Sequence, residues 1–296
     1  MKNLLDQIRD RVMRHAGNDR SEAAIPGISL TVAFKSSPPE MTMSAAGVCL
    51  VLRGSKQLAI GDEILRYDAG RAFVSAVDMP ATRCMFVASS SEPYVATGVA
   101  FSPERIAELL ADISVLPNLD TVTSFGIADA SHDLLEAWDR YLALLDVPQD
   151  ILALAPVRER ELLYRLLRDP HGCLLQQMAR DAGALAPIRR AIEWMKVHFD
   201  KPLPTRSLAD IAGMSVPAFN RRFRAATHTS PLQYQKALRL QAARLMLEHD
   251  RDAAGTAYAV GYSSASQFSR DYARYFGCPP KRDAIAMRES LRAHPN

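Results

Sequence analysis

SLADIAGMSVPAFNRRFRAATHTSPLQY, from Ser207 to Tyr234, and TAYAVGYSSASQFSRDYARYFGCPPKRD, from Thr256 to Asp283, are two copies of one pattern. A shift of 49 positions carries Phe219 onto Phe268, Arg221 onto Arg270, Phe223 onto Tyr272 and Pro231 onto Pro280. The turn glycines Gly213 and Gly261 are 48 apart, so the second copy has one more residue in its turn. Each copy reads as a short apolar helix, a glycine turn, and a second helix opened by serine with polar residues along one side. That is a helix-turn-helix layout, whose second helix is presented to a groove of DNA.

Within the first copy, Ser207 is placed to cap LADIAGM, with Asp210 in the first turn at the positive end of the helix dipole. Ser215 is placed to cap the second helix. Phe219 and Phe223 are spaced i, i+4 and turn inward, which leaves Pro217, Asn220, Arg221 and Arg224 outward. In the second copy Ser264 and Gln267 have the S-x-x-Q spacing of a capping box. There Phe268 and Tyr272 are the inward pair, and Ala265, Ser266, Ser269 and Arg270 face out. An outward arginine can pair bidentately with guanine and an asparagine with adenine, while neighbouring cations hold phosphates. Ser230-Pro231 starts a connecting helix to about His249, whose length sets the separation of the two reading helices.

Charge follows the repeat. The 296-residue chain carries +3 overall, but residues 1–186 sum to −6 and residues 187–296 to +9. A basic helical half is the electrostatic footprint of a polyanion binder. Its four cysteines (Cys49, Cys84, Cys173, Cys278) have no CxxC spacing and read as reduced thiols. The N-terminal stretch is broken by charge every few residues and has no signal-peptide core; Leu4 or Leu5, Ile8 and Val12 suggest a short amphipathic helix instead. No apolar run approaches the roughly 18 residues of a membrane span, so a cytoplasmic protein is expected.

From Ile25 to about Phe101 the pattern is β. SLTVAF, GVCLVLRG, KQLAI, EILRY, RAFVSAV, RCMFVAS and YVATGVAF alternate with Gly, Asp and Pro turns, as in an antiparallel barrel or sandwich. Ser102-Pro103 opens a helix to about Ala111, and residues 118–128 read as loop. A helix over 130–145 carries Leu134, Trp138, Tyr141 and Leu145 on one stripe. Another runs from Pro148 to about Arg168. Such stripes pack on the β-domain, form a dimer face, or do both on different faces. Residues 173–186 read as a connector, and a helix from Pro187 to about Phe199 precedes the first copy.

The repeat, with its GYSSASQFSRDYARYFGCPPKRD ending, resembles the DNA-binding domain of the AraC/XylS family of bacterial transcription regulators, over about residues 187–287. PGISLTVAF, CLVLRGSKQLAIGDEILRYDAGRAFVSAVDMP and the helix after SPERIAELL resemble the N-terminal domain of one branch of that family. The resemblance implies an α+β chain: an N-terminal cupin-like antiparallel β-barrel with appended helices, then an all-α domain with two helix-turn-helix motifs. The expected organisation is 1–180 for effector binding and dimerisation, 181–186 as linker, and 187–290 for DNA binding, with the motifs at 207–228 and 255–278. It implies double-stranded DNA as partner, a small-molecule effector in the barrel, a homodimer, and RNA polymerase as a further partner. Two departures stand out. His228 occupies the place of a family glycine, where a left-handed backbone is expected, and Pro217 replaces a bulkier early residue of the first reading helix.

A cupin-like barrel also raises a different class of function: a ligand-binding or catalytic cupin whose basic half is a nonspecific nucleic-acid adaptor. Residues 25–101 contain no histidine, so barrel strands cannot supply a 2-His-1-carboxylate centre. No phosphate-cradling loop or GxSxG motif occurs. The sequence calls for neither enzyme activity nor a cofactor or metal. Cys49 and Cys84 fall in predicted strands and are read as small buried hydrophobes before electrophile sensors.

Overall fold

The computed structural model describes residues 2–17, 19–36, 40–61, 63–89, 91–113, 124–170, 172–179, 185–248 and 252–293. A helix, α1 (Lys2–His15), leads into β1 (Asp19–Glu22), β2 (Ile28–Ala33), β3 (Glu40–Ser44), β4 (Gly47–Arg53) and β5 (Ser55–Ile60). Then come β6 (Glu63–Asp68), β7 (Arg71–Ser75), β8 (Met79–Val87), β9 (Tyr94–Val99), α2 (Pro103–Asp112) and β10 (Phe125–Asp129). All described strand pairs are antiparallel and fall into two sheets, β1-β2-β9-β4-β7-β10 and β3-β8-β5-β6. Each strand pairs only within its own sheet, so the barrel expected from the sequence is not closed. Two facing sheets with a shared interior take its place, and the α+β, cupin-like character stands.

The β4 strand shows why the larger sheet reads as nearly continuous apolar sequence. Val48, Leu50, Val51 and Leu52 are all buried, because one face meets the opposite sheet and the other is covered by helices. Helix α1 packs across β2, β4 and β9 with Ile8 and Val12 fully buried, as their spacing predicts. Its basic end is tied to the 3-10 turn at Ala143–Asp146: Arg11 Nε donates to Asp146 Oδ2 at 2.8 Å, and His15 Nε2 lies 2.7 Å from Asp146 Oδ1.

Ser102 caps α2 as expected, its hydroxyl accepting from Arg105 N at 3.2 Å. Two stretches read as irregular are ordered. Residues 125–129, inside the expected loop, form β10 on the edge of the larger sheet against β7, while 118–123 lie outside the described residues. The first half of the expected connector is α5 (Gly172–Ala179), with Leu174, Leu175 and Met178 buried. Both were missed because a five-residue strand or a two-turn helix is stabilised by remote partners, not by its own pattern. Between them lie α3 (His132–Leu142), a 3-10 turn at Ala143–Asp146, and α4 (Ile151–Arg168). Leu134, Trp138, Tyr141 and Leu145 are buried as their stripe predicts.

The remaining elements are α6 (Ala186–Val197), α7 (Thr205–Ile211), α8 (Val216–Thr227), α9 (Pro231–Glu248), α10 (Ala253–Ala259), α11 (Ala265–Phe276) and α12 (Pro280–Ala293). Leu208, Phe219, Phe223 and Tyr234 belong to the same contiguous apolar core as the β-domain. Around Phe268 and Tyr272 a second core forms, with Leu240, Leu247 and Val260. No helix of the described residues is long and apolar enough to cross a membrane.

Candidate nucleic-acid interface

The two repeats fold alike down to single hydrogen bonds. In the first, Gly213 N donates to Asp210 O and Met214 N to Ala209 O, at 3.0 and 2.9 Å; in the second, Gly261 N donates to Tyr258 O and Tyr262 N to Ala257 O, both at 3.0 Å. Only glycine fits the second turn. Gly261 has φ +87, and a Cβ there would stand 1.9 Å from Asp200 O. Ser215 and Ser264, 49 apart, are the N-caps of α8 and α11. The Ser264 hydroxyl accepts from Gln267 N at 3.4 Å, whereas Ser215 makes no side-chain cap bond. Helix α7 begins at Thr205 after Pro204, so Ser207 lies inside the helix and is not its cap. Pro204 supplies the extended residue that turns the chain in three positions earlier.

The C-caps also correspond. Gly277 (φ 81) donates to Ala273 O at 2.9 Å, and His228 (φ 54) donates to Arg224 O at 2.8 Å. His228 is the one non-glycine residue with positive φ among the described residues. Its left-handed backbone is as the sequence predicts.

Inward aromatic pairs orient both reading helices. Phe219 and Phe223 are fully buried with ring centroids 5.4 Å apart, and Phe268 and Tyr272 repeat that spacing. Tyr272 OH donates to Asp283 Oδ2 at 2.7 Å, fixing α11 to α12. Burial, reinforced by Asp283, pushes the Tyr272 phenol well up, so it stays a neutral donor. Helix α9 bridges the motifs. From it Gln235 Nε2 donates to Phe199 O at 2.9 Å and Arg239 Nε to the same carbonyl at 2.7 Å, covering carbonyls just past the end of α6.

Opposite these buried faces, Pro217, Asn220, Arg221 and Arg224 are exposed on α8, and Ser266 and Arg270 on α11. Ala265 and Ser269 are half-buried. Ala265 packs against the second core, so it contributes less surface than its outward reading implied. The acid beside Arg270 is already engaged: Asp271 Oδ1 pairs with Lys236 Nζ at 2.6 Å. Among the described residues, Arg221, Arg224 and Arg270 are in no ion pair, which leaves their guanidiniums available to an incoming polyanion. Arg222 and Arg274 add exposed cations on the flanks that the motif reading did not single out. The Arg221-Arg222 doublet was the available signal.

No pattern in the chain marks how the β-domain grips this half. Asp78, just before β8, is the centre of the contact. Its Oδ1 accepts from Ala46 N at 2.6 Å, its carboxylate pairs with Lys196 of α6, and its carbonyl accepts from Tyr234 OH of α9 at 3.0 Å. Burial works to lower the Lys196 pKa, but Asp78 and Glu193 together outweigh it and the net shift is upward. Cys49 and Cys84 are half-buried, not sealed in the core as read; both face a cavity of about 640 Å³ between the sheets.

Residues 24–174 match the family described as the AraC-type transcriptional regulator N-terminus, and residues 208–283 match a helix-turn-helix domain. The HTH-type transcriptional activator RhaS of Citrobacter koseri is 28% identical over 165 residues, covering 54% of this chain and 58% of its own. The HTH-type transcriptional regulator ExsA of Pseudomonas aeruginosa is 30% identical over 184 residues, covering 60% and 63%. The chain thus spans less than two thirds of the length of these relatives. Apo ToxT from Vibrio cholerae superposes with a TM-score of 0.63 at 9% identity, over 92% of this chain and 100% of that one, which is a likeness of fold. With one family match covering half of the chain and a second on the tandem repeat, the chain belongs to the AraC-type transcriptional regulators.

Proposed function

We propose that the protein is a sequence-specific DNA-binding transcription regulator whose helices α8 and α11 enter successive major grooves, about 34 Å apart along the duplex. The observation that carries this reading is the pairing of two like-capped helices, each with aromatics turned in and unpaired arginines turned out. Asn220, Arg221, Arg270 and Ser266 are assigned to base edges; Arg224 and Ser269 support them, and Pro217 and Ala265 offer apolar contact. A boundary at 181–186 separates the effector domain from the DNA-binding domain.

The inter-sheet cavity is read as the effector site. One ToxT structure is described as bound to an unsaturated fatty acid, so this fold accommodates a small molecule. An effector acts by binding one arrangement of the two domains better than another. A homodimer is part of the same reading. Leu162, Leu163, Leu166 and Leu167 of α4 are buried, but Leu152 and Val157 near its start are 91% and 59% exposed, which leaves an apolar face for a second copy. RNA polymerase and a cytoplasmic setting follow from the same role.

The test is gel-shift binding to DNA upstream of the protein's own and neighbouring genes under excess random competitor. A preference of about 10³-fold or more identifies a regulator. Steep salt dependence with no preference would identify a nonspecific adaptor instead. For the dimer, size exclusion of the Leu152→Glu, Val157→Glu double variant should show half the wild-type mass.

A further inference from the structure

The two helix-turn-helix motifs do not share one apolar core. Phe219, Phe223 and Tyr234 belong to the larger core, whereas Tyr262, Phe268 and Tyr272 belong to the second. Each core seats its own reading helix but leaves the angle between the two helices to other contacts. Helix α9 supplies Tyr234 to one core and Leu240 and Leu247 to the other, so it joins the motifs along one line. A second line of contact is needed to stop them turning about it.

That second line runs through residues 199–201, between α6 and α7. The Phe199 side chain packs on the second core, although the chain beyond it leads into the first motif. Arg239 of α9 holds three consecutive carbonyls here. Its Nε donates to Phe199 O at 2.7 Å, and its Nη2 donates to Asp200 O at 3.3 Å and Lys201 O at 3.1 Å. One turn earlier on the same face, the buried Gln235 donates from Nε2 to Phe199 O at 2.9 Å and to Lys201 O at 2.6 Å. The Arg239 guanidinium also lies over the Tyr262 ring, 5.9 Å from its centroid, in the turn of the second motif. Beside it Gly261 comes so close that a Cβ would stand 1.9 Å from Asp200 O and 2.9 Å from Arg239 Nη2. The segment entering the first motif is thus clamped onto the turn of the second, with one guanidinium between them. Only a rigid fork of donors meets several carbonyls and a ring face together; a lysine ammonium is a point donor on a flexible stem. Burial lowers the Arg239 pKa, with Tyr262 and Asp200 opposing, and the guanidinium stays charged.

We propose that Arg239 is a positioning residue for DNA recognition: its clamp on residues 199–201 fixes the separation and angle of α8 and α11, and so the half-site spacing that the chain accepts. The proposal rests on the reading that both helices enter one duplex. Its test starts from the tightest duplex that the full wild-type chain selects from a random-sequence pool. Affinities are then measured for that duplex, for versions with one base pair inserted or removed between the half-sites, and for a version with one half-site randomised. One base pair turns a half-site by about a tenth of a helical turn, so a rigid wild type should lose about tenfold or more on either spacing change. Arg239→Lys keeps the charge and loses the fork. It should bind the selected duplex more weakly, lose only about threefold or less on a spacing change, and match wild type within about twofold on the half-randomised duplex. Should Arg239→Lys fail to fold in a thermal melt, Gln235→Met carries the same test, with spacing discrimination reduced. Wild-type discrimination in the folded variant would overturn the proposal. So would an equal loss on every duplex, the half-randomised one included, which marks a residue that only supports the fold. A wild type indifferent to spacing, or a selection that yields no preferred duplex, removes the two-groove reading and this inference together, whereas a spacing-sensitive wild type with an equally sensitive variant removes only the role of Arg239.

Discussion

The hydroxyl of Ser124 donates a 2.6 Å hydrogen bond to the carbonyl of Ala226, in the last turn of the first reading helix. Carbonyls in a helix's last turn have no partner within the helix, so the β-domain completes the end of a DNA-reading element. Ser124 is 1% exposed. Ser124→Ala should therefore lower stability by about 1–3 kcal/mol, because the Ala226 carbonyl loses its partner away from water. Thermal unfolding of the full chain reads the loss. Should the bond also hold α8 in a particular docking, DNA affinity in the gel shift will change with it.

Gly61 and His228 meet on the same contact. Gly61 has φ +59, and a Cβ there would stand 2.9 Å from His228 Cβ, while the His228 ring lies 5.2 Å from that of Phe125. Gly61→Ala adds left-handed strain to that clash, and a loss of about 2 kcal/mol is expected. An unchanged melting temperature would show that the contact yields freely.

Arg270 is exposed and its neighbour Asp271 is neutralised by Lys236. Arg270→Ala should weaken specific binding by about 1–3 kcal/mol and relax preference at one base pair. Arg221→Ala should act likewise at the other motif. Competition against a set of single-base operator variants checks both. Equal loss on specific and random duplex reassigns the residue to phosphate.

Asp146 receives bonds from Arg11, His15 and Arg14, and these hold its carboxyl well below the usual carboxylate range despite some opposing desolvation. A depressed folded pKa stabilises the protein above the unfolded value of about 3.9, and that contribution is lost as the pH falls further. The side chain is 35% exposed, so after screening the contribution is about 1 kcal/mol or less. Asp146→Asn should reduce stability most at pH 6, and by progressively less as the pH falls through the acid range. Acid titration of unfolding compares the two.

What the chain disclosed by itself was local. The 49-residue offset, the i, i+4 aromatic pairs, the serine caps and the left-handed site at His228 depend on neighbours within a few residues, so spacing alone exposes them. Ser207 misled for the same reason, since a good cap residue stood three positions past the proline that starts the helix. Tertiary structure decided everything that depends on distant partners. Residues 125–129 become a strand only because β7 offers an unpaired edge, and the sheets stay open because no ladder joins them. Asp78 reaches Tyr234 across 156 residues, and Arg239 reaches Phe199 across 40. Hydrogen-bond register and packing between remote segments leave no periodic trace in sequence, so the reading helices could be recognised from the chain but their docking and the cavity behind them could not.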